Sequence, residues 1–265
     1  MKPETIRKRI TNTAKSLNQN DCQITSLSQF CKSLNDIFMD KKIYGHSKRV
    51  QFYMGTMYDQ MLKSQAFLSE KDKDSFKGFI RERLMLSAGL HDIGKLETPD
   101  EILHKDSALS DEEFDIMKKH TDILDEVSEE VKADNGKDFL LGAREMAKYH
   151  HEKYKCTTKG YHGLSGEEIP LSARMVAIVD AYDAMVSERT YNKSDMLTHE
   201  EACKIIQKDA GTHFDPSLVI IFLMVNEQIK DIYEKNKDSY LMNNNKHASA
   251  YKPATRESLD LPLKV

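Results

Sequence analysis

The chain has 265 residues, 39% of them hydrophobic and 31% charged, and its 43 acidic and 39 basic side chains leave a formal charge of −4. That balance describes a well-solvated globular protein with a core of ordinary size, and it excludes a broadly basic surface for coating a nucleic-acid polymer. No uncharged apolar stretch approaches the roughly 20 residues that span a bilayer, so no membrane partner is expected and the cytoplasm is the expected compartment.

The first sixteen residues, MKPETIRKRITNTAKS, are basic but lack the apolar region and small-residue cleavage site of a secretory leader. Within 1–40, Leu27, Phe30, Leu34, Ile37 and Phe38 recur at helical spacing and predict a packing helix ahead of the main domain, which is expected over 41–235. Ser110 and Glu113 form a capping-box pattern, with Leu109 and Phe114 as a hydrophobic staple, so a helix should begin near Ser110. Pro170 can open a helix whose residues Leu171, Met175, Val176, Ile178, Val179 and Met185 cover most of its circumference, which predicts a central, buried element. Thr198 and Glu201 repeat the capping box, and Asp215 followed by Pro216 reads as an N-cap with proline at the first helical position. From about Lys235 the chain turns polar, and 236–265 read as a tail with little to bury. Alternating β-branched runs are missing throughout, so the expected fold class is all-α. Cys22, Cys31, Cys156 and Cys203 show no C-x-x-C spacing and predict neither a disulfide framework nor a structural zinc knot.

The chemistry lies in oddly placed polar residues. Asp180 falls inside the most apolar helix, where an unpaired carboxylate costs several kcal/mol, so it needs strong partners. Candidates along the chain are His46, the adjacent His91 and Asp92, His120, and the adjacent His150 and His151. Imidazoles mixed with carboxylates suit Fe, Mn or Zn, and seven ligands exceed the need of one ion. Two divalent metals bridged by Asp92 and by a water or hydroxide are therefore expected, an arrangement suited to attack on a phosphodiester. Lys95, close to one turn after Asp92, can lean toward a phosphate oxygen. Asp183, one turn past Asp180, is expected to orient a ligand histidine or to pair with a cation. Arg189 and Lys193 form a basic edge for a second phosphate or a base. His104, His162, His199, His213 and His247 read as surface, cap or loop residues. No general acid stands out.

The stretches HDIGKLETPDEILHKDSALSDEEFDIMKKH, HHEKY, GLSGEEIPLSARMVAIVDAYDAMVSERTY and AGTHFDP, in that order, resemble the HD superfamily of metal-dependent phosphohydrolases and, within it, the HD-GYP subfamily, bacterial enzymes that hydrolyse cyclic di-GMP. The resemblance covers about residues 44–225. It implies an HD-domain helical bundle around a dinuclear site with His46, His91, Asp92, His120, His150, His151 and Asp180 as metal ligands, phosphate contact by Lys95 and ligand contact by Arg189. It also implies a cyclic dinucleotide as substrate and a diguanylate cyclase domain as a protein partner. Two departures are visible. Lys42 stands where some members carry a glutamate for a third metal. The signature loop H-H-E-x-x-D-G-x-G-Y-P-x-G-L reads HHEKYKCTTKGYHGL, one residue longer, without its Asp-Gly and with His162 in the place of proline. The expected function is hydrolysis of a cyclic dinucleotide, cyclic di-GMP first, to the linear dinucleotide or GMP. The altered loop leaves open a slow or inactive cyclic-dinucleotide receptor, or a phosphohydrolase of another nucleotide.

Overall fold

The computed structural model describes residues 3–17, 23–34, 43–105, 107–131, 140–155, 160–187 and 196–237. Among them are thirteen α-helices, short 3-10 turns and no β-strand, apart from one isolated bridge between Ala210 and Phe214. In chain order the helices are α1 (Pro3–Leu17), α2 (Gln23–Ser33), α3 (Tyr44–Met61), α4 (Glu70–Lys77), α5 (Arg81–Ala88), α6 (Asp100–Leu103), α7 (Asp111–Lys118), α8 (Ile123–Val131), α9 (Leu141–Tyr149), α10 (Leu171–Val186), α11 (His199–Lys208), α12 (Pro216–Met224) and α13 (Asn226–Asn236). The fold is all-α, and no described helix is long and apolar enough to cross a membrane.

Helix α10 is the axis of the packing: all of its residues are buried, as its nearly continuous apolar surface requires. It lies against α3, α9, α11 and α12. Met175, Ile178, Val179 and Tyr182 of α10 share the larger core with Val50, Tyr53, Met54 and Met57 of α3 and with Ile206, Leu218 and Phe222. Pro170 serves as the N-cap of α10, one residue before its first helical position, with ψ at 140°. The ring suits the extended entry of the chain and leaves the helix to begin at Leu171. Arg174 reaches out of α10 to bind Asp72 of α4 and Asp215, the cap of α12, so one buried guanidinium fastens three elements.

A second core joins Ile6, Ile10 and Ala14 of α1 and Leu27, Phe30 and Leu34 around α2 to Leu90, Ile93, Leu96, Leu124, Val127, Ala143 and Ala147. The N-terminal segment thus supplies two helices, where the periodicity pointed to one: α1 packs beneath the turn that follows α5, and α2 packs against α5 and α1. Ile37 and Phe38 lie outside the described residues.

The sequence-read helix starts are present as hydrogen bonds. Ser110 and Thr198 accept from the N–H of Glu113 and Glu201 in full capping boxes, and Asp215 accepts from Ser217 and Leu218 with Pro216 at the first helical position. Each such cap is worth about 1 kcal/mol. The pair Leu109 and Phe114 parts company: Leu109 packs on Ile102, Leu103 and Met117, whereas the ring of Phe114 stands edge-on to Tyr161.

Candidate metal centre

Five elements deliver their polar residues to one point. His46 comes from the first turn of α3, Asp180 and Asp183 from the middle of α10, and His91 and Asp92 from the turn closing α5. His120 sits on the 3-10 turn Lys119–Thr121, and His150 and His151 follow the last turn of α9. Two irregular turns must touch for this to happen, and Gly94 permits it. A Cβ there would lie 2.0 Å from the carbonyl oxygen of His120, so only glycine lets the HD turn pack against the turn that carries His120.

The seven residues fall into two groups, His46, His91, Asp92 and Asp180 in one and His120, His150 and His151 in the other, each with ligand atoms within 4.8 Å of one another. Asp92 faces both. Its Oδ2 lies 3.4 Å from His91 Nε2 and 3.7 Å from His46 Nε2, while its Oδ1 lies 3.4 Å from His120 Nε2 and 3.7 Å from His150 Nε2. Asp180 Oδ1 closes the first group at 3.2 Å from His46 Nε2 and 3.7 Å from His91 Nε2.

The backbone fixes which nitrogen faces inward. Nδ1 of His91, His120 and His150 donates to the carbonyl oxygens of Ala88, Met117 and Ala147, at 2.7, 2.6 and 2.9 Å. Each ring is thereby held with Nε2 toward the centre, the arrangement that outer hydrogen bonds impose on metal-binding histidines. Nε2 of His120, His150 and His151 and Oδ1 of Asp92 are buried and have no hydrogen-bond partner among the described residues. Buried polar atoms are rarely left so, and four converging on one point fit divalent cations. His46 is oriented differently, through Nδ1 to Asp183 Oδ2 at 2.8 Å. Asp183 also accepts from Arg49 and, at 2.9 Å, from the hydroxyl of Tyr53, so it both orients a histidine and pairs with a cation.

The electrostatics divide the histidines. Burial drives His120 down to about 4, with Lys95 adding to it, and burial with His91 takes His150 to about 3. Burial also opposes a charge on His91, but Asp92 and Asp180 outweigh it and raise the group to about 10. Burial likewise opposes the charge on Asp92, yet Lys95, His91 and His120 hold its carboxyl well below the usual range. His46 is shifted upward as well, its burial outweighed by Asp180 and Asp183, so the carboxylates of the first group favour positive charge beside them.

Lys95 is 2% exposed and its Nζ lies 2.5 Å from Asp92 Oδ2. Arg189 and Lys193 lie outside the described residues, as do Lys42, Cys22, Cys156 and His247. A cavity of about 320 Å³ opens beside the centre, lined by His150, His151, Asp180, Phe114, Lys118, Lys153, Tyr161 and His213. His213, read from sequence as a loop residue, is part of that lining, and burial and Lys153 push it down to about 4. His199 pairs with the hydroxyl of Tyr182 at 2.9 Å, away from the centre. Arg49, Tyr53 and Tyr161 are the functional neighbours that sequence reasoning missed. Arg49 and Tyr53 follow His46 by three and seven residues, so helical spacing from the histidine was the signal available.

The HD-domain family profile matches residues 55–218, more than half of the chain. The chain belongs to the HD-domain family. This HD-domain protein is 36% identical over 202 residues to a cyclic di-GMP phosphodiesterase of Thermotoga maritima, a match covering 76% of this chain and 49% of the relative. It is 37% identical over 221 residues to a cyclic di-GMP phosphodiesterase of Vibrio cholerae, covering 83% and 42%. A 3'3'-cGAMP-specific phosphodiesterase of the same organism is 34% identical over 168 residues, covering 63% and 29%. The chain thus spans about half or less of the length of these curated relatives. Among solved structures, Bd1817, an HDG"Y"P protein from Bdellovibrio bacteriovorus, shares the fold with a TM-score of 0.51 at 18% identity, over 86% of this chain and 71% of that one. These matches bear out the family resemblance read from the motifs. His46 precedes the matched stretch, yet it stands 3.3 Å, Nε2 to Nε2, from His91 of the motif that names the family.

Proposed function

We propose that this HD-domain protein is a metal-dependent phosphodiesterase that hydrolyses a cyclic dinucleotide, cyclic di-GMP first, to the linear dinucleotide or GMP. The observation that carries this reading is the division of Asp92, one oxygen toward each group of histidines. His46, His91, Asp92 and Asp180 would hold one divalent ion, and Asp92, His120, His150 and His151 a second, with Fe or Mn ahead of Zn. Two such ions supply Lewis-acid polarisation of a phosphodiester and a nucleophile at neutral pH.

The chain's own groups do the rest. Asp183 and the carbonyls behind His91, His120 and His150 keep the inward nitrogens aimed at the centre and leave little to reorganise. Lys95 is the buried ammonium at hand to offset charge that develops beside Asp92. Lys118 and Lys153 line the cavity as cations for the second phosphate, and Phe114 and Tyr161 offer apolar and aromatic surface for a base. Arg189 and Lys193 are assigned to the same substrate from sequence alone. Relatives named for cyclic di-GMP and for 3'3'-cGAMP support a cyclic dinucleotide as the substrate class.

The test is to purify the protein without oxygen, count its metals, and incubate it with cyclic di-GMP and Mn or Fe(II), following products by chromatography. Appearance of the linear dinucleotide or GMP, abolished by Asp92→Ala, supports the reading. Two bound metals with cyclic di-GMP left intact and 3'3'-cGAMP cleaved moves the substrate to the mixed dinucleotide. Binding of either without cleavage leaves a receptor.

A further inference from the structure

The loop after α9 departs from the pattern it resembles at residue 162, and the structure gives the histidine there two attachments that proline lacks. Its backbone N–H donates to Glu152 Oε1 at 2.7 Å, and Leu164 N–H donates to Oε2 of the same buried carboxylate at 2.7 Å. Its ring is held from the other side. Thr121 spends its hydroxyl hydrogen on the carbonyl of Lys118 at 3.0 Å, so Thr121 Oγ1 accepts from His162 Nε2 at 3.2 Å. Asp122 lies 3.6 Å from that nitrogen, and Tyr149 stands edge-on to the ring. Proline has no N–H and no ring donor and could make neither bond.

Tyr161 is the residue that these two attachments hold. Its ring centroid lies 4.9 Å from that of His151 and 5.8 Å from that of Phe114, with Lys118 Nζ 5.3 Å above it. Its hydroxyl is buried without a hydrogen-bond partner among the described residues, beside a cavity of ligand size. Gly160 allows the loop to come this close, because a Cβ there would lie 2.7 Å from Glu152 Cα.

We propose that His162 is a positioning residue: tied to Glu152 and to the turn that carries His120, it holds Tyr161 at the cavity for the dinucleotide and so sets substrate affinity without entering the chemical step. This rests on the phosphodiesterase reading above. It carries a consequence against intuition: restoring the proline of the signature loop, His162→Pro, removes both attachments and weakens the enzyme where the motif would suggest repair.

The experiment uses the full chain loaded with Mn and compares wild type with His162→Ala, His162→Gln and His162→Pro. KM and kcat for cyclic di-GMP, bound metal, and amide exchange of residues 160–164 are measured. Losing one hydrogen bond of ordinary strength should raise KM about fivefold in His162→Ala, with kcat and metal content unchanged and faster exchange in the loop. His162→Gln, which keeps a donor, should return most of the affinity, and His162→Pro should raise KM further than alanine. Unchanged KM and exchange in His162→Ala overturn the proposal. So does a fall in kcat together with lost metal, which would place the role of the ring at His120. If wild type cleaves neither cyclic di-GMP nor 3'3'-cGAMP, the phosphodiesterase reading fails and takes the substrate half of the proposal with it, while the exchange comparison still decides the anchor.

Discussion

Arg49 grips Asp183 with both arms, Nε to Oδ1 at 2.6 Å and Nη2 to Oδ2 at 2.7 Å, and both side chains are 1% exposed. The same Oδ2 orients His46, so the guanidinium controls a candidate ligand that it does not touch. Arg49→Ala leaves Asp183 buried beside Tyr53 with its cation gone, which should cost about 3–5 kcal/mol of stability in urea unfolding. Arg49→Lys keeps the charge but loses the fork, and its metal affinity, read by competition with a chelator, should fall about 10–100-fold. Equal affinity in Arg49→Lys would separate the ion pair from the metal centre.

In the metal-free protein the buried histidines tie stability to pH in two opposite directions. His120 and His150, held down at about 4 and about 3, stay neutral in the fold while the unfolded chain protonates near 6.5. Their contribution is present above 6.5 and is lost as pH falls toward 4 and 3. His91, raised to about 10, contributes stability that is present below 6.5 and lost as pH rises toward 10. The metal-free protein should therefore be most stable near pH 6.5, with the unfolding free energy from urea titration falling on both sides by up to about 1.4 kcal/mol per pH unit for each proton involved. Adding Mn at pH 7.5 should release a proton from His91, measurable by calorimetry in buffers of different ionisation enthalpy. Binding without proton release would contradict the charge assignment.

Gly94→Ala places a methyl group 2.0 Å from the carbonyl of His120 and forces the two turns apart. Overpacking of this kind costs about 1–3 kcal/mol, so the variant should still fold. Its bound metal, counted by elemental analysis, should drop from two ions toward one as His120 withdraws. Two ions retained with full activity would show that the turns can slide.

Lys95→Met removes the ammonium beside Asp92 Oδ2 while keeping most of the buried volume. Its metal content should equal or exceed that of wild type, because a competing cation is gone. kcat should fall about 100-fold, the usual loss of one donor to a developing charge. A rise in KM at constant kcat would move Lys95 from the chemical step to ground-state binding.

Arg174→Met strands the carboxylates of Asp72 and Asp215 in the larger core. The expected cost is about 3–5 kcal/mol in urea, with the metal content of the protein that remains folded unchanged. Loss of metal at full stability would show that α10 had shifted.

The sequence was most legible where a local rule acts alone. Ser110, Thr198 and Asp215 announce their helices because a cap needs only residues a few positions apart, and α10 announces its burial because apolar residues surround it. The histidines and aspartates of the centre stood out because adjacent titratable residues and an aspartate in an apolar helix are costly without a partner. Residues that work across the fold were hidden. Arg49 looks like any helix arginine until α10 brings Asp183 to it, and His213 looks like a loop residue until the chain folds it beside the cavity. Helix α1 was missed for a related reason: Ile6, Ile10 and Ala14 make a thin apolar stripe among charges, and α8 and the turn at 93–97 supply the rest of its burial.

The apolar layer under Leu90, Ile93 and Leu96 joins the candidate metal centre to the N-terminal helices through one core, although α1 contributes no residue to the candidate ligand set. Whatever loosens α1 removes the backing of the turn that holds His91 and Asp92. By thermodynamic reciprocity, ions that bound only the ordered turn would in turn tighten α1. Ions held at the centre would then be felt on the far side of the second core as a change in order.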